Sequence, residues 1–362
     1  DAGVVAQATG DARAALRIFQ RLLVLEERLG ATGAATLCEI GRAQSTLGDV
    51  AGARATLERA LAAAKEHDEV GTYATALGDL ADIHFRLGDY PRAVGMHRDA
   101  LAQRRAVGDR PGVARSLDHL AAVQAALGAW AKAFELAEAS RAEAAAIGDD
   151  LLLATVVSTV GSFHSRLGQY AEAATLYRSA LEVFRRLDAR AAAVNALTAL
   201  GVVHLKSGDL EQALADFDEV VPQAEALGDP ALVAEIRRHR GEAFQALGEL
   251  PKAAVELEAA IAGFEAAQHR RGAAATVADL ARLRLEAGEY AAARKLADRA
   301  VREAERMRAD PLLASALAVK ARTRIAAGDP DAAIEIARSG AAVVDRLFTG
   351  LGAAQAGTAG ET

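Results

Sequence analysis

The sequence predicts an all-α fold, an α-α superhelix of about eight helix-turn-helix repeats, from three observations. Apolar residues recur at helical spacing, as at Leu77, Leu80 and Ile83, and no segment alternates as a strand does. Small residues also keep fixed positions in the chain. Above all, a glycine recurs every 40 residues, at Gly48, Gly88, Gly128, Gly168, Gly208, Gly248, Gly288 and Gly328. A fixed period of this length is typical of repeat proteins, in which each unit buries its apolar face against its neighbours.

Each central glycine is interpreted as the turn residue that ends the first helix of a repeat, just before the second helix begins. It follows a leucine in five of the eight copies and is usually followed by Asp, Glu or Gln. A glycine suits the left-handed residue after a helix, and an acidic residue suits the start of the next helix. A second turn is predicted about halfway between these glycines. Its candidates are Gly108-Asp109, Gly148-Asp149, Asp188, Gly228-Asp229 and Asp310-Pro311.

The prolines agree with this division into paired helices. Six of them begin predicted helices, where a missing N–H costs no hydrogen bond. These are Pro91, Pro251 and Pro330 in second helices, and Pro111, Pro230 and Pro311 in first helices. Pro222 instead lies inside a predicted helix, which it should kink or shorten.

Small residues at two further positions predict close packing between the paired helices. Seven residues before each central glycine lie Gly41, Ala81, Ala121, Gly161, Gly201, Gly241, Ala281 and Ala321. Five residues after each glycine lie Ala53, Ala93, Ala133, Ala173, Ala213, Ala253, Ala293 and Ala333. A bulky residue beside most turns, such as Tyr90, Trp130 or Tyr170, is expected to fill the space above the small ones.

The register divides the chain into three parts. Residues 1–30 are predicted to be a partial repeat, mainly its second helix, and residues 31–348 eight full repeats. Residues 349–362 are rich in Gly, Ala and Thr, which predicts a flexible linker. The uninterrupted period favours one elongated domain over the two or three globular domains that this length would otherwise suggest. Because the sequence opens at Asp1 without a Met, we expect a segment of a longer protein.

The composition argues against several classes of partner. A net charge of −7 does not suit a groove that binds phosphates. No apolar run approaches the roughly 20 residues of a membrane span, and no signal peptide is recognisable. The single cysteine, Cys38, rules out an internal disulfide framework and a cysteine-based zinc site. We therefore expect a cytoplasmic protein that binds neither nucleic acid nor membrane.

At these positions the chain resembles tetratricopeptide repeats (TPR). One copy reads Ala81, Gly88, Tyr90, Ala93, His97 and Ala100, and another reads Gly161, Gly168, Tyr170, Ala173, Tyr177 and Ala180. The usual repeat has about 34 residues, so the 40-residue period is a longer variant. It is similar to the class in Pins/LGN-type scaffolds, kinesin light chains and bacterial signalling proteins with STAND ATPase or CHAT protease domains.

The resemblance implies a solenoid that binds proteins and has no enzymatic activity. Its partner would be a peptide, a helix or a neighbouring domain of the same polypeptide. The alternative is a regulatory sensor or autoinhibitory arm of a multidomain signalling protein, a STAND ATPase or a CHAT-type protease. In this class the first helix of each repeat lines the concave side, which predicts the groove residues. They are Arg42, Asp82, Phe85, Arg86, Arg115, Asp118, Ser162, Arg166, Asn195, Lys206, Arg238, Glu242 and Arg282.

This predicted groove is polar and of mixed charge, with hydroxyl groups in its middle. Such a surface suits an extended peptide or a helix, held by side-chain hydrogen bonds and ion pairs. The carboxylate clamp of chaperone-type repeats is missing, because it needs Lys and Asn at two of these positions. One copy has Cys38 and Arg42 there, and another has Gly78 and Asp82.

The sequence predicts no catalytic, cofactor-binding or metal site. His84, His164 and His204 share one repeat position, about 10 Å apart in adjacent repeats, which is too far to share one ion. They are interpreted as half-buried packing residues. His119 and His239 are interpreted as isolated residues at the groove or surface.

Cys38 and Trp130 are both interpreted as residues that pack in the core. Cys38 lies near Arg42, whose charge would lower the pKa of the thiol, but no histidine or carboxylate constellation accompanies it. We expect Cys38 to be a core residue. Trp130 replaces the tyrosine found beside other turns and is expected to plug the core.

Overall fold

A computed structural model describes residues 12–307 and 309–359, which form seventeen α-helices and no strand. The first nine are α1 (Ala12–Arg28), α2 (Ala34–Thr46), α3 (Val50–Glu66), α4 (Val70–Arg86), α5 (Tyr90–Ala106), α6 (Arg110–Ala126), α7 (Trp130–Ile147), α8 (Asp150–Arg166) and α9 (Tyr170–Arg186). The others are α10 (Arg190–Ser207), α11 (Leu210–Ala226), α12 (Pro230–Ala246), α13 (Leu250–Ala266), α14 (Arg270–Glu286), α15 (Tyr290–Met307), α16 (Asp310–Ala326) and α17 (Pro330–Ala359). The all-α class and the paired helices are confirmed. From α2 onward, even numbers are the first helices of the repeats and odd numbers the second helices.

The eight central glycines all lie in the left-handed region, with φ between 74° and 85°. At Gly88 the turn closes with two bonds: Gly88 N–H donates to Phe85 O at 3.0 Å, and Asp89 N–H donates to His84 O at 2.9 Å. This pair of bonds is the Schellman motif, and it satisfies carbonyls that the helix end leaves free. The predicted helix-ending role of these glycines is confirmed.

The turns between repeats close in the same way, but not always with glycine. Asp68, Asp188 and Gln268 occupy the left-handed position there, with φ of 55°, 51° and 57°. A side chain in this conformation costs about 1–2 kcal/mol, and aspartate tolerates it better than most residues. Only Asp188 of these three was predicted as a turn.

Helix starts follow the sequence signals. The Asp49 and Asp109 carboxylates each accept a hydrogen bond at 2.9 Å from the backbone N–H three residues later, as N-cap residues do. The six prolines predicted at helix starts all lie within the first two residues of a helix. Pro222 does not shorten α11, which runs on to Ala226. Pro222 and Asp218, whose carbonyl loses its donor, both face solvent, so water can replace the missing bond.

The fixed small residues lie where paired helices meet. All eight alanines five residues after the central glycines are buried, and the small residues seven before them are buried as well. A Cβ on Gly41 would lie 2.6 Å from the Leu57 side chain, and one on Gly241 would lie 3.0 Å from Leu257. The predicted close approach of the two helices is therefore confirmed.

The described residues divide into two compact units, with the boundary between Ser207 and Gly208. The expectation of a single elongated domain stays a prediction. Because each hairpin packs only on its neighbours, a compact unit can end at a turn without any change in the sequence period. Unit 1 contains α1 to α10, and unit 2 contains α11 to α17.

Within each unit the first helices form a layer of their own. Neighbouring first helices pack on one another, as α2 does on α4 and α14 does on α16, more closely than second helices do. This layer of first helices is the one that the sequence analysis predicts to line the concave side. The surface of this layer is called the unit 1 groove and the unit 2 groove below.

The two ends differ from the predicted parts in what the structure describes. Residues 1–11 of the predicted partial repeat lie outside the described residues, and α1 covers residues 12–28. Helix α17 continues to Ala359, past residue 348, where the sequence predicts that a linker begins. Alanines in this segment favour helix, and no proline stops it. No helix among residues 12–307 and 309–359 is both long and apolar enough to serve as a membrane span.

Candidate partner-binding groove

Polar side chains join neighbouring first helices across the unit 1 groove. The Arg86 Nη1 group on α4 donates to Ser45 on α2, at 2.5 Å to the hydroxyl and 3.2 Å to the carbonyl. Arg42 Nη1 lies 3.5 Å from Asp79 Oδ2 in the next repeat. These contacts join neighbouring first helices and restrict the rotamers of Arg42 and Arg86.

The unit 2 groove carries a denser ion-pair network. Arg238 Nη1 on α12 contacts Glu242 at 2.6 Å and Asp279 of the next first helix at 3.4 Å. Arg282 pairs with the other oxygen of Asp279 at 3.0 Å, and His239 contacts Glu242 at 3.1 Å. Most of this charge is compensated internally. His239 was interpreted as isolated, but it belongs to this network.

Five predicted residues of the unit 1 groove are exposed: Arg86, Arg115, Arg166, Asn195 and Lys206. Arg86, Arg166 and Lys206 share one repeat position, two residues before the central glycine. Within the described part of the chain, the side chains of Arg115 and Lys206 have neither an ion pair nor a hydrogen bond. The unit 1 groove therefore offers cations that have not been neutralised.

Arg166, at the end of α8, contacts Trp130, at the start of α7. The guanidinium lies over the indole ring, 5.3 Å from its centroid. Trp130 also packs edge-on against buried Phe163, with ring centroids 6.3 Å apart. The predicted role of Trp130 in the core is confirmed, and its other face steadies Arg166.

The remaining predicted groove residues are more enclosed. Phe85 is half-buried against Tyr90, with ring centroids 5.7 Å apart. Ser162 donates its hydroxyl proton to Thr159 O at 2.7 Å. Asp118 is buried and accepts a hydrogen bond from the Thr159 hydroxyl at 3.2 Å. This bond joins the first helices α6 and α8.

Asp82, His97 and His119 form a cluster that the sequence analysis missed. His119 Nδ1 lies 3.0 Å from Asp82 Oδ1, and His97 Nε2 lies 3.3 Å from the same oxygen. One ligand-type atom from each residue lies within 4.8 Å of the other two. The sequence analysis treated His119 as isolated and named His97 only as one position of the repeat pattern, so its prediction of no metal site did not consider this cluster.

Burial and charge act together on this cluster. Burial opposes ionisation of Asp82, but its contacts with His119 and His97 outweigh burial and hold the pKa of the carboxyl well below its ordinary range. Burial lowers the pKa of His97, so its neutral imidazole is favoured. Burial also opposes protonation of His119, but Asp82 outweighs it and raises the pKa of His119.

The other histidines and the cysteine follow their packing interpretations. His84 and His204 are buried, and His164 is half-buried with its Nδ1 atom 2.7 Å from Gln169 Oε1. Cys38 is 1% exposed. Burial, reinforced by Asp79 and opposed by Arg42, raises the pKa of its thiol to about 12.

Comparison with known proteins identifies the repeat. Models of the tetratricopeptide repeat match residues 72–142 and 152–226, residues 38–104 and 198–269, and residues 314–339. A search of curated proteins returned no match.

Solved structures share the fold at low sequence identity. A signal transduction ATPase with numerous domains (STAND) with a tetratricopeptide repeat sensor, from Pyrococcus horikoshii, is 16% identical with a TM-score of 0.64. That similarity covers 93% of this chain but only 55% of the STAND protein. The Rap conjugation gene regulator of plasmid pLS20, in complex with a Phr peptide, is 13% identical with a TM-score of 0.61, covering 94% of this chain and 96% of the regulator.

A second Rap protein, complexed with Competence and Sporulation Factor, is 16% identical with a TM-score of 0.52. The similarity covers 76% of this chain and 86% of that Rap protein. The repeat matches, the paired helices and these shared folds agree on one assignment. The chain belongs to the tetratricopeptide repeat family.

Proposed function

We propose that this chain is a protein-interaction scaffold that binds an extended peptide or a helix of a protein partner in the unit 1 groove. The observation that carries the proposal is the row of exposed cations on an inner surface already ordered by contacts between repeats. Arg86, Arg166 and Lys206 repeat at one position, and Arg115 adds a cation with no partner among the described residues. The fold itself, shared with a Rap protein solved in complex with a peptide, supports a protein ligand.

The charge of the groove favours an acidic partner segment. Exposed guanidinium groups bind carboxylates in bidentate geometry, and several such pairs fix the register of a bound chain. A nucleic acid would meet the same cations, but the net charge of −7 works against a polyanion of that length. The proposed partner is therefore a protein segment with several Asp or Glu residues.

A double charge reversal tests this groove. We expect Arg86→Glu with Arg166→Glu to abolish recovery of partners that the unaltered chain enriches from a lysate of the source cells. Mass spectrometry would identify the recovered proteins. Hydrogen exchange of the complex should show protection on α4 and α8.

The matched control reverses two exposed arginines on second helices, Arg59→Glu with Arg98→Glu, and so makes the same change in net charge. This control should retain the partners. Helical content and thermal midpoint should be unchanged in both variants. If both variants lose the partners equally, binding depends on net charge. If both retain the partners equally, the unit 1 groove does not bind them.

A second candidate function is a regulatory sensor arm of a signalling protein. The observation that favours it is the similarity over 93% of the chain to a STAND protein that carries a repeat sensor. If the source gene also encodes an ATPase domain, the Arg86→Glu and Arg166→Glu changes should alter the basal ATP hydrolysis of the encoded protein. An encoded protein without such a domain, or one whose hydrolysis is unaltered, would reject this candidate.

A further inference from the structure

The strongest unexplained feature of the molecule is a histidine in a core position. His97 lies nine residues after the central glycine and is 1% exposed. The equivalent positions of six other repeats are also buried and hold only Leu, Ala, Tyr or Phe. They are Leu57, Ala137, Tyr177, Phe217, Leu257 and Ala297.

Packing does not account for an imidazole at this position. Nδ1 of His97 has no hydrogen-bond partner among the described residues, and Nε2 has only its 3.3 Å contact with Asp82 Oδ1. A buried polar group without such a partner costs about 1–3 kcal/mol, and the leucine of the other repeats would avoid that cost. Groups of this kind in a folded protein call for a ligand, an ion or a catalytic task.

The surroundings of His97 supply what a cation needs. Asp82 and His119 converge on it from the two first helices α4 and α6, at the distances given above. A tetrahedral zinc ion bound at about 2.0–2.1 Å keeps its ligand atoms about 3.3 Å apart. The two separations from Asp82, 3.0 Å and 3.3 Å, are close to this value, and the separation between the two histidines is at most 4.8 Å. Two imidazoles and one carboxylate are borderline ligands that suit zinc better than calcium or magnesium.

The nearby charges also favour a cation. Asp79 and Asp118 each present a buried carboxylate oxygen without a hydrogen-bond donor, although the Asp79 oxygen also lies 3.5 Å from Arg42 Nη1. The buried Arg104 on α5 donates to Ser116 Oγ at 2.6 Å and to Gly112 O at 3.2 Å, so its guanidinium is held by these two acceptors, although its charge still acts against protonation of His97 and His119. Four of the eleven buried side-chain atoms without a hydrogen-bond partner in the described residues thus belong to Asp79, His97 and Asp118.

We propose that Asp82, His97 and His119 bind one zinc ion in the unit 1 groove. His97 anchors the ion from the core, while the side chains of Asp82 and His119 are each 42% exposed and lie at the groove surface. Three protein ligands leave one coordination position open, and its surroundings face the groove. Water occupies this position in the free protein, and a carboxylate or imidazole of a bound partner can replace the water.

Metal titration of the full chain tests the site directly. Chelator-treated protein without an affinity tag is titrated with Co²⁺, whose visible d–d absorption reports its coordination geometry, and with Zn²⁺ by calorimetry. We expect one equivalent of each ion, a Co²⁺ spectrum of low coordination number, and displacement of Co²⁺ by Zn²⁺. Zinc should also raise the thermal midpoint.

The key variant is His97→Leu, which installs the residue that two other repeats carry at this position. It should fold with a thermal midpoint at or above that of the metal-free parent, and it should lose at least tenfold in zinc affinity. Asp82→Asn and His119→Gln should each lose at least tenfold as well. His164→Gln is the matched control, because that half-buried histidine contacts Gln169 and Phe134 and not the cluster, and its zinc affinity should be unchanged.

Two results would overturn the proposal. If the parent chain takes up less than one equivalent of zinc, the cluster is an ion pair and not a metal site. If His97→Leu binds zinc as tightly as the parent, the ion lies elsewhere. Because neither readout involves a protein partner, failure here leaves the peptide-binding groove standing.

Discussion

At the scale of single residues, burial decides between competing chemical interpretations. Cys38 and His97 each lie near charged groups that would activate them in water. Burial instead raises the pKa of the Cys38 thiol to about 12 and lowers the pKa of the His97 imidazole. The first shift makes the thiol inert, because the thiolate is the reactive form. The second favours the neutral imidazole, which is the form that coordinates metals.

Cys38 should therefore resist thiol reagents in the folded chain. At pH 8 we expect its reaction with a chromogenic disulfide to be at least about 100-fold slower than that of an exposed cysteine. The comparison is Cys38→Ala with Ser179→Cys, since Ser179 is exposed on α9. Adding denaturant should release the Cys38 thiol. Equal rates in the two native proteins would contradict its burial.

At the scale of the helical element, the turn between helices is the feature that repeats with the same geometry along the chain. Glycine turns and non-glycine turns share the same two closing bonds. In the Gln268 turn, Gln268 N–H donates to Glu265 O at 3.0 Å and His269 N–H donates to Phe264 O at 2.8 Å. The bonds hold whichever residue occupies the left-handed position, so the cost of a side chain there is conformational strain alone.

Neighbouring turns of unit 2 allow this strain to be measured in both directions. Gln268→Gly should stabilise the protein by about 1 kcal/mol, because it removes a side chain from a φ of 57°. Gly248→Ala should destabilise it by about 1–2 kcal/mol, although a Cβ there would meet no atom within 4 Å. Both values come from chemical denaturation of the full chain. Changes of the same sign would show that strain at these positions does not control stability.

At the scale of the whole molecule, the regular period of the sequence does not mark the boundary between the two compact units. The eight turn glycines, the buried alanines and the paired helices could all be predicted from spacing, because each is a local requirement repeated many times. The boundary at Ser207 and Gly208 could not, because Gly208 has the same spacing and turn role as the other central glycines. The His97 cluster was missed for a related reason: the sequence gives the position of His97 in the repeat, and only the approach of α4 and α6 shows what it contacts.

The two units should respond separately to core mutations. Trp130 is the only tryptophan and lies in unit 1, so its fluorescence reports on that unit, while circular dichroism reports on all helices. Leu257→Ala in unit 2 should cost about 2–5 kcal/mol and shift part of the circular dichroism transition without moving the fluorescence transition. Leu57→Ala, at the equivalent position of unit 1, should move the fluorescence transition. A fluorescence shift of equal size in both variants would indicate one cooperative unit.

The uniform closure of the turns bears on how such a chain grows or shrinks during evolution. Excising residues 89–128 would join Gly88 directly to Ala129, and the junction would keep a left-handed glycine followed by the start of a second helix. Unequal crossing-over at any two equivalent codons would therefore yield an open reading frame with a sound junction. In this particular excision the lineage would lose two of the three zinc ligands at once.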